Sequence, residues 1–204
     1  MDGENDMIEV EIKLKVTDRT NLLKKLEENG FVESHLVRET DTYFNGVDRD
    51  FKKSDEALRV RKTECLEGSY LNADFNLAGG RPGQMACITY KGAKMGETAM
   101  SRRELEITVE DAEGMIEMLI LLGYQPVRPV VKLRRYLYSE NMVACVDRVE
   151  GLGTYLELEI MVETEAERQT ALDMIELQLR TLGYSMEDTT RISYLSMLQA
   201  KNIQ

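Results

Sequence analysis

Cysteine is scarce in this sequence. The only three, Cys65, Cys87 and Cys145, are odd in number, far apart and without a C-x-x-C pair. That excludes a disulfide framework or a zinc site built on such pairs and leaves them as small core or loop residues. Histidine is scarcer still. His35 stands alone, which excludes a His-based metal cluster, and its place in a polar stretch after the first helical segment predicts a surface or loop position. Long apolar runs are absent as well, none reaching the roughly 18 residues of a membrane-spanning helix. With an acidic, polar opening from Met1 to Asp6, neither a membrane span nor a secretory signal is expected, and the expected location is the cytoplasm. Positive charge is also in short supply, with 26 Lys and Arg against 37 Asp and Glu and a net charge of −11. Nucleic acid and anionic lipid are bound through net-positive surfaces, so both are excluded as partners, and any polyanionic ligand must meet a local basic site. Gly79-Gly80-Arg81-Pro82-Gly83 lacks both phosphate-loop patterns, G-x-x-x-x-G-K-[ST] and G-x-G-x-x-G, and reads as a mobile turn or lid.

What is present is alternation. A chain of 204 residues with 43% apolar content buries one substantial core, so one domain over residues 1–204 is expected, with residues 1–6 disordered. In Ile8–Val16 the even positions Ile8, Val10, Ile12, Leu14 and Val16 are apolar, and the odd positions are Glu9, Glu11, Lys13 and Lys15. Period two predicts a strand with one apolar and one ionic face. By itself such a strand reads equally well as a surface strand with a solvated face.

Repetition shifts that reading. Glu-x-Glu-Ile occurs at Glu9/Glu11, Glu104/Glu106 and Glu157/Glu159, and each copy is followed by an amphipathic helical segment and a Gly-aromatic pair, Gly30-Phe31, Gly123-Tyr124 or Gly183-Tyr184. The helices carry Leu22, Leu23 and Leu26, then Met115, Ile116, Leu119 and Leu122, then Leu172, Ile175, Leu179 and Leu182, at three- and four-residue spacing. Their natural partners are the apolar strand faces. The ionic faces are then left looking at one another inside a closed or nearly closed antiparallel barrel, an α+β fold with helices outside.

Further segments obey the same rule. Arg59 and Arg61 alternate with Leu58 and Val60, Lys132 and Arg134 with Val131 and Leu133, and Tyr136 and Tyr138 continue that inward face, to stack on a base or fill the tunnel mouth. Lys91, Arg102 and Asp147 fall on the same kind of face, and Glu150–Gly153 reads as a hairpin turn. The predicted lumen therefore collects the acids Glu9, Glu11, Glu104, Glu106, Asp147, Glu157 and Glu159 with the bases Lys13, Lys15, Arg59, Arg61, Lys91, Arg102, Lys132 and Arg134. Burying so many ions costs free energy unless each is paired, and stability does not ask for it. Internal salt bridges in a wet barrel are one reading. The other is function: alternate carboxylates are hard oxygen ligands for Mg²⁺ or Mn²⁺, and the bases take the remaining charge of a triphosphate.

The ordered set Glu9-x-Glu11-x-Lys13, Arg59-x-Arg61, Lys91, Arg102-x-Glu104-x-Glu106, Lys132-x-Arg134, and Asp147 with Gly151-Leu152-Gly153 and Glu157-x-Glu159 resembles the CYTH superfamily, or triphosphate tunnel metalloenzymes. That group includes class IV adenylyl cyclases and thiamine triphosphatases. The resemblance runs from about residue 7 to Ser193-Tyr194 and implies an eight-stranded tunnel. It implies Mg²⁺ or Mn²⁺ on Glu9, Glu11, Glu157 and Glu159, with Glu104 and Glu106 completing a second site or orienting waters. It further implies triphosphate held by Lys13, Lys15, Arg59, Arg61, Lys91, Arg102, Lys132 and Arg134, Lys15 being nearest the strand end, and a catalytic part for Lys13 and for Asp147 as metal ligand or base. Two departures stand out: a long Gly-containing stretch, Glu64–Met85, before Lys91, and Arg103 following Arg102, so that register decides which faces inward.

The expected function is that of a metal-dependent enzyme on a small triphosphate, an adenylyl cyclase making cyclic AMP and pyrophosphate from ATP. The alternatives are a triphosphatase acting on inorganic, thiamine or nucleoside triphosphate, and a non-catalytic polyphosphate or nucleotide sensor. A homodimer is compatible with exposed apolar helix surfaces.

Overall fold

The computed structural model describes residues 8–68, 84–93 and 103–201. The expected disorder of residues 1–6, the turn or lid at Gly79–Gly83, and Arg102 lie outside the described residues. The elements, in order, are β1 (Ile8–Val16), α1 (Arg19–Glu28), β2 (Val32–Asn45), β3 (Ala57–Gly68), β4 (Gln84–Lys91), β5 (Glu104–Val109), α2 (Ala112–Leu121), β6 (Gln125–Pro126), β7 (Val130–Tyr138), β8 (Val143–Val149), β9 (Gly153–Val162), α3 (Arg168–Leu182) and α4 (Tyr194–Lys201). One antiparallel sheet runs β1-β9-β8-β7-β2-β3-β4-β5, with β6 added beside β2. It curls into a half-barrel whose end strands, β1 and β5, do not pair with each other among the described residues. The free side of β1 is covered instead by the segment before α4, where the Thr190 amide donates to the Lys13 carbonyl at 2.7 Å.

The apolar strand faces are capped as their period predicts. Val10, Ile12 and Leu14 of β1 and Leu156, Leu158 and Ile160 of β9 pack under Leu22 and Leu26 of α1 and Ile175, Leu179 and Leu182 of α3. Fully burying a leucine of this kind is worth roughly 1.5–3 kcal/mol, so this layer holds one wall of the sheet. Asp18 caps α1 by accepting from the Asn21 amide at 3.0 Å. Gly183 ends α3 in the left-handed region at φ 85°. A side chain there would collide with the Lys25 ammonium, which donates to the Leu182 carbonyl at 2.7 Å and ties α1 to the negative end of α3.

A second cluster seats Ala112 and Leu119 of α2 on Phe44, Leu58, Val60 and Ala86. The opposite side of α2 leaves Met118 and Leu121 exposed. Leu122, expected on the packed face with Leu119, is exposed as well, because the helix ends at Leu121 and Leu122 is its cap. The helix α4 differs from the others in its place: Tyr194 and Leu198 pack with Val130, Val149 and Tyr155 at one end of the lumen. None of the described helices is long and apolar enough to cross a membrane.

Two expectations change here. His35 is not a surface or loop residue; it lies in β2, is 4% exposed and stacks on Tyr136 with ring centroids 4.3 Å apart. Its surroundings read as polar because β2 alternates polar residues on both faces, and what buries them is the sheet around them. The stretch Glu64–Met85 is strand at both ends, with Glu64 opposite Gln84 and Thr63 opposite Met85. The cysteines meet the reading as core or loop residues: Cys87 and Cys145 are buried and Cys65 is partly exposed, all free thiols.

Candidate functional site

A cavity of about 1000 Å³ is lined by odd-numbered residues of β1, β3, β4 and β9, among them Glu9, Arg59, Lys91 and Glu157, and by even-numbered residues of β5 and β7, among them Glu104 and Arg134. Its ionic lining includes Glu9, Glu11, Lys13, Asp41, Arg59, Arg61, Lys91, Glu104, Glu106, Lys132, Arg134, Glu157 and Glu159, with Asp50, Lys52, Asp55 and Glu56 from the segment between β2 and β3. Tyr43, Phe44, Val127, Leu195 and Gln199 form a less ionic sector between β2 and α4.

Strand register decides which charges meet. Lys13 lies opposite Glu157, Asp41 opposite Arg61, Glu39 opposite Lys132, Lys91 opposite Glu104 and Arg134 opposite Asp147. Each of these joins unlike charges. Glu11 lies opposite Glu159, the one facing pair of like charges among the described residues of the lumen, and like charges in that position repel. Glu9 joins them, so that one carboxylate oxygen from each of the three residues lies within 4.8 Å of the others. Burial first, then the neighbouring carboxylates, push all three carboxyls above their ordinary range, Glu9 strongly and Glu159 to about 7. Glu11 Oε1 is buried without a hydrogen-bond partner among the described residues. A divalent cation fits this set: three hard oxygen donors converge, and their mutual repulsion is only partly offset by the Lys13 ammonium, 3.5 Å from Glu11 Oε1, and by Arg134, 3.7 Å from Glu159 Oε1.

The other three predicted glutamate ligands are engaged elsewhere. Glu157 sits 2.9 Å from the Lys13 ammonium and accepts from Arg134. Glu104 accepts from Lys91, and Glu106 from the Thr89 hydroxyl at 2.8 Å. Burial opposes the charge on Lys13, but Glu157 and Glu11 outweigh it and hold the ammonium above its ordinary range. Glu157 is kept ionised against burial by Lys13 and Arg134.

Asp147 is fully buried and stands behind the lining. It accepts the Arg134 fork at 2.7 and 2.6 Å and the Tyr194 hydroxyl at 3.0 Å, and lies 3.4 Å from the Lys132 ammonium. Tyr194 also places its ring 4.3 Å from the Lys13 ammonium. Lys15, on the lumen face by parity, is exposed and does not line the cavity. Arg103, the neighbour of Arg102, is exposed. Tyr136 lines the cavity, whereas Tyr138 is exposed beside it.

Sequence reasoning missed the acids of β2, Glu39 and Asp41, together with Thr89 and the inward reach of Tyr194. A signal existed for the first two, since Glu39-x-Asp41 repeats the period-two pairing of acids. It was masked because Thr40 and Thr42 occupy the alternate positions where β1 has apolar residues.

The family model for the CYTH domain matches residues 7–194. A Methanocaldococcus jannaschii protein provisionally named an adenylate cyclase is 35% identical over 191 residues, covering 94% of this chain and 98% of that protein. Among solved structures, a Pyrococcus horikoshii protein aligns with a TM-score of 0.81 at 33% identity, over 95% of this chain and 99% of that one. A Hippeastrum protein, provisionally named an adenylyl cyclase and described as having a dominant triphosphatase activity, shares the fold at 16% identity with a TM-score of 0.61, over 96% of each chain.

Proposed function

The chain belongs to the CYTH domain family, and on that premise we propose that it is a divalent-metal-dependent enzyme that cleaves the triphosphate chain of ATP, forming cyclic AMP and pyrophosphate. The observation that carries this reading is the convergence of Glu9, Glu11 and Glu159 beside a wall of buried cations in one cavity of about 1000 Å³. Family membership supports a divalent metal and a small triphosphate substrate. The relative that shares 35% identity carries the cyclase name, and the less ionic sector at Tyr43, Val127 and Leu195 leaves room for a nucleoside beyond the phosphates.

Glu9, Glu11 and Glu159 would hold Mg²⁺ or Mn²⁺. When bound, such an ion supplies charge neutralisation and Lewis acidity toward a phosphoryl oxygen. The chain's own groups do the rest. Lys13, Arg59, Arg61, Lys132 and Arg134 grip phosphate oxygens and stabilise the charge that gathers on departing pyrophosphate as the ribose 3′-oxygen attacks the α-phosphorus. Glu157 aims Lys13 and keeps it charged, and Asp147 orients Arg134 and Lys132. Because Asp147 is already saturated with donors and stands outside the lining, its part is to position the cations; abstraction of a proton by its carboxylate is not supported. Lys91 reaches the same lumen through its pair with Glu104.

Hydrolysis of the terminal phosphate is the second reading. It is favoured by the ionic character of the lumen, where Lys13, Arg59, Arg61, Lys132 and Arg134 are gathered in one cavity and could grip phosphate oxygens whatever the organic part.

Product analysis separates the two. Purified protein is incubated with ATP and Mg²⁺ or Mn²⁺, alongside Glu9→Ala and Glu159→Gln, and cyclic AMP is resolved from ADP. Cyclic AMP with pyrophosphate, lost in both variants, supports the cyclase. ADP with phosphate moves the assignment to hydrolysis and calls for tripolyphosphate and thiamine triphosphate as substrates. Binding of these compounds without turnover would overturn the enzyme reading in favour of a sensor.

A further inference from the structure

The acids of β2 are among the most deeply placed ions of the lumen, and gripping a triphosphate does not require them. Asp41 and Glu39 are each 2% exposed. Asp41 accepts a two-bond fork from Arg61, at 2.6 Å from Nε and 2.8 Å from Nη2, and a third bond from Arg59 Nη1 at 3.4 Å. Glu39 Oε2 lies 3.1 Å from Arg61 Nη2 and 3.1 Å from Lys132 Nζ, while Oε1 accepts from the Tyr136 hydroxyl at 3.1 Å. Three cations of the wall are therefore tied to two carboxylates, and Asp41 itself borders the cavity.

A wall selected for anion affinity alone would be stronger without them, because a buried carboxylate beside an anion site repels the ligand. What a carboxylate supplies is direction. Arg59 and Arg61 are like charges two residues apart on one strand face, carried on long side chains, and a carboxylate fork fixes the plane of a guanidinium that would otherwise turn away from its neighbour. Orientation matters most when charge must be met at one position in the transition state.

We propose that Asp41 is a positioning residue that aims Arg59 and Arg61 at the phosphate chain and in doing so weakens ground-state binding of the anion, with Glu39 acting in the same way on Arg61 and Lys132. The proposal rests on the triphosphate reading above. Wild-type protein is therefore assayed first, for turnover of ATP and tripolyphosphate with Mn²⁺ and for binding of tripolyphosphate by calorimetry. If it neither binds nor turns over any of these, the triphosphate reading falls and the proposal with it.

Given wild-type activity, Asp41→Asn is expected to lower kcat by about tenfold or more, while tripolyphosphate binds as tightly as before or several-fold tighter. Asp41→Glu, which keeps the charge but displaces the fork, is expected to lower kcat without tightening binding. Unchanged kcat in Asp41→Asn, or loss of tripolyphosphate affinity in proportion to the loss of kcat/KM, would overturn the proposal and leave a purely structural ion pair. Circular dichroism and thermal melting monitor folding. Should Asp41→Asn fail to fold, Glu39→Gln carries the same test, with lower kcat at undiminished affinity expected and the converse overturning it.

Discussion

The Tyr194 hydroxyl donates to Asp147 Oδ2 at 3.0 Å while the same ring faces the Lys13 ammonium at 4.3 Å. One side chain of α4 thus touches both the carboxylate that orients Arg134 and the lysine at the centre of the cation wall. Burial, then Asp147 and Glu157, raise the phenol well above its ordinary range, so it stays a donor.

Tyr194→Phe keeps the ring over Lys13 and removes the bond to Asp147. A hydrogen bond to a charged group is worth about 1.5–3 kcal/mol, and the loss of unfolding free energy in urea is expected in that range. Tyr194→Ala also opens a cavity, with an expected cost of roughly 3–5 kcal/mol. Equal losses in the two variants would show that the hydroxyl, and not the ring, carries the whole contribution.

The three-glutamate cluster makes opposite demands with and without metal. Glu159→Gln is expected to weaken Mn²⁺ binding by about tenfold or more, measured by calorimetry. In EDTA the same variant is expected to melt at or above the wild-type temperature, since it removes repulsion between buried carboxylates. A variant that melts lower in EDTA and binds Mn²⁺ normally would assign Glu159 to an ion pair with Arg134.

The sign of the pH dependence follows from Glu159 at about 7. Its folded value lies above the usual carboxylate value, so between about 4.3 and 7 the folded protein holds the extra proton. Stability of the metal-free protein is expected to rise as pH falls from 8 toward 5, by about 1.4 kcal/mol for each unit of difference in pKa, and Glu159→Gln is expected to flatten that rise. His35 works the other way. Burial lowers it to about 4, so the unfolded chain takes up the proton first and stability falls between about 6.5 and 4. Denaturation curves of His35→Phe across pH 4–8 are expected to lack that fall.

Lys13 and Lys15 share a strand and a charge, yet only Lys13 is buried against Glu157. Lys13→Ala is expected to lower kcat/KM by about a hundredfold or more and Lys15→Ala by less than about twofold. Comparable losses in steady-state assays would place Lys15 on the substrate.

The sequence by itself determined the strands whose two faces differ in chemistry. Ile8–Val16, Arg59-x-Arg61 and Lys132-x-Arg134 announce themselves because period two is a local property, and the leucines of α1 and α3 declare what covers the apolar side. The three Glu-x-Glu pairs, by contrast, look alike in one dimension. Tertiary structure alone decided that Glu9, Glu11 and Glu159 converge while Glu157, Glu104 and Glu106 are taken by Lys13, Lys91 and Thr89, because register between strands far apart in sequence selects each side chain's partner. The same holds for β2. Its acids are ringed by Arg59, Arg61 and Lys132, which come from β3 and β7, and no window of adjacent residues contains that arrangement. Asp147, which the family resemblance offered as a metal ligand or base, is enclosed by Arg134, Lys132 and Tyr194 once β7, β8 and α4 come together, and enclosure is a property of the fold.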